Sequence, residues 1–291
     1  MRIISTICNP NRIDELLIYC DGILLSNDVF SSKMPHTLSS NKINELSSYI
    51  KSKNKEVYLS VNVMVTDITI TTIESVLCKV NLSLFDGFII SDIGMIEFFK
   101  NKNLIDKVIY NPETLMTNHF DFNYFFDTGI KGAFLSNELT VSNISSICKS
   151  KKYQSFMIGF GHINIFTSRR KLISNFEEIA LVNINRSIKV EEEFRSDLFP
   201  VFQDNFGTHM FRSNVLEIHE RMHEIKHIDY LVINGSFLDF FQLDCDEVCI
   251  DTARLYKNNM IYEKYLEKYS LIKFDQGFLD KTLDYKKVKN D

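Results

Sequence analysis

Asp86-Gly87-Phe88-Ile89-Ile90-Ser91-Asp92 decides the fold. A turn-forming Asp-Gly pair opens it, an apolar run with two isoleucines follows, and a polar pair closes it. A run this short, bounded by turn residues, reads as a strand buried on both faces. The same design recurs at Asp21-Gly22-Ile23-Leu24-Leu25 and at Lys131-Gly132-Ala133-Phe134-Leu135. Working outward, strands are predicted at Ile3–Cys8, Gly22–Leu25, Glu56–Val63, Gly87–Ser91, Lys107–Tyr110, Gly132–Leu135, Ser155–Gly159 and Tyr230–Ile233. Segments of helical period lie between them at Asn11–Tyr19, Ser40–Lys51, Ile70–Leu82, Met95–Lys100, Phe120–Asp127, Val141–Ser150 and Asn214–His227, with Asn11 and Ser142 as plausible caps. About eight strands, each followed by a helix or loop, predict an α/β fold of the TIM-barrel-like (β/α)8 kind. A doubly wound open sheet is the alternative, because the two differ in closure. Residues 163–214 break the rhythm and read as an insertion after the seventh strand. Residues 251–291 read as a C-terminal extension holding a helix and a strand pair, with Gln276-Gly277 at a turn. The whole chain is expected to be a single barrel domain.

With 291 residues the chain can bury a sizeable core. Its net charge of −5 argues against a surface coated in cations, although a local basic patch is compatible with it. No apolar run reaches the roughly 18 residues of a membrane helix. The N-terminus reads as a first strand rather than a signal peptide, so the expected location is cytoplasmic. In that setting the six cysteines are expected to be reduced, buried thiols, Cys245 and Cys249 included.

Chemistry in a barrel sits where strands end. Asn9, Asn62, Asp92, Glu113, Glu138 and Asn234 occupy those ends and are expected to form a polar cup, although Asp and Asn also serve there as turn formers. Ser168-Arg169-Arg170-Lys171 places three cations in a row between apolar neighbours, a costly arrangement unless anions pair with it. Arginine binds phosphate or carboxylate bidentately. Phe206–Ser213 adds Gly207, His209 and Arg212. His219-Glu220-Arg221-Met222-His223 spells the H-E-x-x-H pattern; on a helix its two histidines could grip zinc with Glu220 as base. The flank of an apolar stripe (Val215, Ile218, Met222, Ile225) explains the same residues without a metal. There is no glycine-rich phosphate loop, nucleophile elbow or dinucleotide fingerprint.

The strings MIGFGHINIFTSRRKLISNF (157–176) and DNFGTHMFRSN (204–214) resemble the collagenase-like peptidase family U32. So do VNVMV (61–65), FIISDIGM (88–95), NPETLMTN (111–118) and QGFLDKTLDYKKVK (276–289). The matches run in order across nearly the whole chain. They are most similar to short members that accompany a longer paralogue in low-GC Gram-positive bacteria. The resemblance implies a TIM-barrel-like core and a role as subunit of a prephenate-dependent system making 5-hydroxyuridine at the tRNA wobble position. It implies a longer, iron–sulfur-bearing paralogue as partner, with tRNA and prephenate as substrates. Arg169, Arg170, Lys171, Arg212, Asn62 and Asn118 would then bind the anion, and Glu113, Asp92 and His209 would act on or orient it. The family's signature glutamate falls on Phe156, its two signature cysteines on Asn164 and Lys171, and its Glu-Gly-Arg on Asn234-Gly235-Ser236. No cysteine lies between Asn175 and Phe199, so no iron–sulfur cluster or other cofactor is expected on this chain. The family name leaves a peptidase open, metal-dependent through His219 and His223, as well as a non-catalytic subunit that stabilises its paralogue.

Overall fold

A computed structural model describes residues 1–184, 187–193, 195–238 and 243–279. The Asp-Gly and Lys-Gly stretches form β2 (Gly22–Leu25), β4 (Gly87–Ile90) and β6 (Gly132–Phe134). With β1 (Arg2–Thr6), β3 (Glu56–Val61), β5 (Val108–Tyr110), β7 (Gln154–Ser168) and β11 (Tyr230–Ile233) they pair in parallel. β11 pairs with both β1 and β7, which closes the barrel. The open-sheet alternative is therefore ruled out. Side chains alternate across the wall. Ile4, Leu24, Tyr58, Ile89, Ile109, Phe134, Phe156 and Tyr230, one per strand, fill the interior. Their neighbours Ile3, Ile23, Val57 and Phe88 belong to the larger core shared with the helices. Burial on both faces is why each strand reads as an unbroken apolar run.

The helices are α1 (Ile13–Tyr19), α2 (Ser40–Ser52), α3 (Ile70–Leu77), α4 (Gly94–Asn101), α5 (His119–Tyr124), α6 (Val141–Ser150), α7 (Leu172–Ala180), α8 (Cys245–Tyr256) and α9 (Tyr262–Lys268). The caps differ from those expected. Asn9 rather than Asn11 caps the first turn, and Thr140 rather than Ser142 caps α6, each side-chain oxygen accepting a backbone N–H. Among the described residues no helix is long and apolar enough to cross a membrane.

β7 runs well past the barrel wall. Its outer half pairs antiparallel with β10 (Thr208–Glu217), which pairs with β9 (Arg195–Gln203), which pairs with β8 (Ser187–Glu192). β12 (Phe274–Asp275) adds to β10 in parallel, and Gly277 turns the chain with a left-handed φ of 63°. The end of the C-terminal tail, residues 280–291, lies outside the described residues. The helix predicted at Asn214–His227 is absent. Val215 and Leu216 belong to β10, and His219–Arg221 is a single 3-10 turn. Val215, Ile218 and Ile225 are buried as expected of an apolar stripe, but pairing with β7 and β12 overrides the helical period.

Candidate functional site

The C-terminal ends of the barrel strands open into a cleft of about 350 Å³, roofed by the outer half of β7 and by Phe206 and His209 of the antiparallel layer. A smaller space of about 70 Å³ continues inward, reaching Asn111, His162 and Asn234. The strand ends supply Asn62, Ser91, Glu113, Asn137 and Glu138 to the wall. Phe156 lies in the barrel interior and does not line the cleft. It is fully buried and stacks on Tyr230 with centroids 4.5 Å apart, so the position carrying a glutamate in the resembling family holds an apolar ring here.

Two polar networks meet in the cleft. In the first, Lys33 Nζ donates to Glu113 Oε1. Both residues hold left-handed backbone, with φ of 59° and 65°. Such a conformation costs about 1 kcal/mol or more for a side-chain-bearing residue and persists where surrounding structure enforces it. The enforcement is visible: Asn111 Oδ1 accepts from Glu113 N (3.0 Å), and Ser236 Oγ donates to Lys33 O (2.9 Å). Ser236, which stands where the family has arginine, thus holds the lysine's main chain.

The second network is built on Asp204. Ser32 Oγ donates to Asp204 Oδ2 (2.6 Å), and His209 Nε2 lies 3.2 Å from both Asp204 Oδ1 and Ser32 Oγ. His209 Nδ1 is 3.2 Å from Thr167 Oγ1, which donates to Asn164 Oδ1 at 3.0 Å. Asn62 clamps Ser32 from the other side, accepting from its N (2.8 Å) and donating to its O (3.0 Å). Burial alone would raise the Asp204 carboxyl, but hydrogen bonds from His209 and Ser32 outweigh it and hold the group below its usual range. In a serine-nucleophile triad the serine and the carboxylate face opposite imidazole nitrogens. Here both face Nε2. The trio anchors a buried imidazole at the cleft wall and does not activate the serine hydroxyl.

Of the residues singled out from sequence, Glu113, His209, Asn62 and Glu138 line the main cleft, and Asn234 lies deeper. Asp92 does not line it. Its two carboxylate oxygens accept from Val65 N (2.9 Å) and Gly94 N (2.8 Å), a turn-forming role. Asn118 is exposed and caps α5. Arg212 pairs with Asp275 and lies over the ring of Phe278, 5.4 Å from its centroid; Phe278 in turn lines the cleft. Arg169, Arg170 and Lys171 are exposed just beyond β7 and form no ion pair among the described residues.

The zinc alternative loses its geometric basis. Positions 219 and 223 do not share a helix face, the His219 ring packs against Tyr262, and His223 is 77% exposed. Ser32, Lys33, Thr167, Asn137 and Asp204 were not singled out. The signal for Asp204 was Asp204-Asn205-Phe206-Gly207, a turn in which Asp204 Oδ1 accepts from Phe206 N and Gly207 N just before His209. The cysteines also depart from expectation: Cys78 is exposed, and Cys8 and Cys245 are joined as a disulfide.

A closed parallel barrel with its polar cleft at the strand C-termini defines a TIM-barrel-like protein with a site in the usual place for that class. The profile of peptidase family U32 matches residues 13–287, and the chain belongs to that family. A tRNA hydroxylation protein P2 from Bacillus subtilis (strain 168) is 26% identical over 160 residues, covering 52% of this chain and half (50%) of that protein. Among solved structures, the U32 peptidase Mk0906 superposes with a TM-score of 0.52 at 11% identity, covering 80% of this chain and 92% of that one. That likeness concerns the fold alone.

Proposed function

We propose that this chain is the anion-binding subunit of a prephenate-dependent tRNA wobble-uridine hydroxylation system, working in the cytoplasm with a longer, iron–sulfur-bearing paralogue. The observation that carries the reading is the match to the tRNA hydroxylation protein, which includes that name and half of each chain. The chemistry of the site is compatible with it. Lys33, a cation, and His209, a buried imidazole, both line the cleft, a pair able to orient a small carboxylate-bearing molecule. Glu113 sets the position of the Lys33 ammonium and yields it to an entering carboxylate. Arg169, Arg170 and Lys171, on the tip beyond the cleft, meet tRNA phosphates, which position a substrate without reading its sequence. The redox step lies with the partner.

Deletion of the gene in a strain without a duplicate is expected to abolish or strongly reduce wobble 5-hydroxyuridine, read by mass spectrometry of digested tRNA. Complementation with the Arg169→Ala/Arg170→Ala/Lys171→Ala variant should restore little of it while the purified variant stays folded. Unchanged modification in the deletion strain would overturn the assignment.

A further inference from the structure

Three of the six cysteines converge at one corner of the barrel. Cys8 follows β1 by two residues, and Cys245 and Cys249 lie one turn apart on α8, so they share a helix face. The sulfurs of Cys8, Cys245 and Cys249 all lie within 4.8 Å of one another. Among the described residues, this is the group of histidine, cysteine and acidic side chains that comes together closely enough for a single ion.

Three further features shape this corner. The first is the space between the sulfurs. Gly235 follows β11 by two residues, and a Cβ there would stand 2.7 Å from Cys245 Sγ, 2.7 Å from Cys249 Sγ and 3.0 Å from Cys8 Sγ. Glycine is what lets the three sulfurs face one point. The second is the fixing of the backbone. Asp246, 3% exposed, accepts from Cys8 N and Asn9 N, both at 3.1 Å, and ties the end of β1 to the first turn of α8. The third is electrostatic: Cys245 occupies the first position of a twelve-residue helix, where the peptide dipoles favour a thiolate.

The disulfide between Cys8 and Cys245 uses two of the sulfurs and leaves the third, Cys249, fully buried beside it. We propose that in the reduced chain Cys8, Cys245 and Cys249 together bind one thiophilic d10 cation, Zn2+, as three thiolates with a fourth position open to solvent or an exogenous ligand. Sulfur–metal distances near 2.3 Å place tetrahedral thiolates just under about 4 Å apart; all three sulfurs lie within 4.8 Å of one another, and on reduction Cys8 and Cys245 separate to that spacing. Among the described residues, neither Asp244 nor Asp246 joins the three sulfurs within 4.8 Å as a fourth ligand. Binding as thiolates displaces the thiol protons, so uptake releases acid. The site is one residue from Ser236, whose hydroxyl holds Lys33 in the cleft, so an occupied site would stiffen the loop that positions that lysine. This site is distinct from the cleft and does not depend on the substrate proposed for it.

The test uses the full chain, reduced and stripped of metal, titrated with Co2+ as a spectroscopic substitute for Zn2+. One equivalent should give a sulfur-to-cobalt charge-transfer band that Zn2+ abolishes, with proton release in unbuffered solution. Cys8→Ser and Cys249→Ser should each lose the band, and Cys78→Ser, on the exposed cysteine, should retain it. Absence of any charge-transfer band in the reduced parent chain would overturn the proposal. So would a Cys249→Ser variant, folded by circular dichroism, that binds Co2+ as tightly as the parent; the pair would then be a simple disulfide. If Cys249→Ser does not fold, the half-buried Cys8→Ser decides in the same way.

Discussion

The two ends of the barrel are built on opposite terms. At the floor, where strands begin, polar groups are locked. Asp21, just before β2, accepts from Ile3 N of β1 at 2.7 Å. Asp86, before β4, accepts from Val57 N of β3 at 2.8 Å. Asp229, before β11, accepts from Ser155 N of β7 at 2.8 Å. Each carboxylate also meets a lysine: Lys257, Lys51 and Lys151 in turn. Lys131 departs from the pattern because it serves another purpose, donating to Asp86 O at 2.6 Å. The left-handed residues after α2, α4 and α8 are Asn54, Asn103 and Asn258, a residue type that tolerates that conformation. At the mouth the left-handed residues are Lys33, Glu113, Leu115 and Phe237, which do not. Leu181, after α7 in the insertion, is the other such residue, so among the described residues this strain lies at the cleft end or in the insertion and not at the end that holds the barrel closed. Stability at one face and chemistry at the other is the division this fold class makes.

The most severe way to break that contrast is to disturb the floor. A Cβ on Gly132 would sit 2.2 Å from the carbonyl oxygen of Gln154, a backbone atom fixed by β6–β7 pairing. Gly132→Ala should cost about 3 kcal/mol or more, as an overpacked site with no flexible neighbour to yield, read from the urea midpoint at constant slope. Wild-type stability in this variant would mean the floor is soft. A smaller loss is expected from Asp21→Ala, which leaves the buried Ile3 N–H without its acceptor and Lys257 without its partner; about 2 kcal/mol is expected at pH 7. Burial alone would raise the Asp21 carboxyl, but Lys257 and the Ile3 N–H hold it below the usual range. A group with its folded pKa depressed stabilises the native state above its unfolded value, near 3.9, and loses that contribution as pH falls further. The gap between parent and variant should therefore be full above about pH 5 and shrink below about pH 4. A gap that widens on acidification would contradict the assignment.

The same contrast decides what the sequence disclosed. All eight barrel strands were legible, because double-sided burial leaves short apolar runs, three of them after Asp-Gly or Lys-Gly. Closure was not, because β1 finds β11 about 230 residues away. At the mouth, Glu113, Asn62 and His209 stood out as polar residues at strand ends or in the insertion. Ser32 and Asp204 did not, since their hydrogen bond joins residues 172 apart. Asp92 and Asn118 imitate site residues because a side-chain oxygen that serves backbone amides looks the same in sequence as one that serves a ligand. The apolar spacing Val215, Ile218, Met222, Ile225 imitated a helix because a strand end followed by a turn can bury residues at the same intervals.

The smallest expected effect is the most informative about the mouth. Glu113→Gly removes the Lys33 ion pair, a half-buried contact worth up to about 1 kcal/mol. It also gives the unfolded chain more freedom, at a cost of about 0.5–1 kcal/mol. Against both stands relief of a left-handed backbone at φ 65°, worth about 1 kcal/mol. The net loss should stay under about 1 kcal/mol, clearly less than for Asp21→Ala although both variants delete a carboxylate paired to lysine. Urea unfolding of the two variants side by side measures the difference. If Glu113→Gly is destabilised as much as Asp21→Ala, the mouth is as locked as the floor, and the strain at Lys33 and Glu113 serves the barrel rather than the cleft.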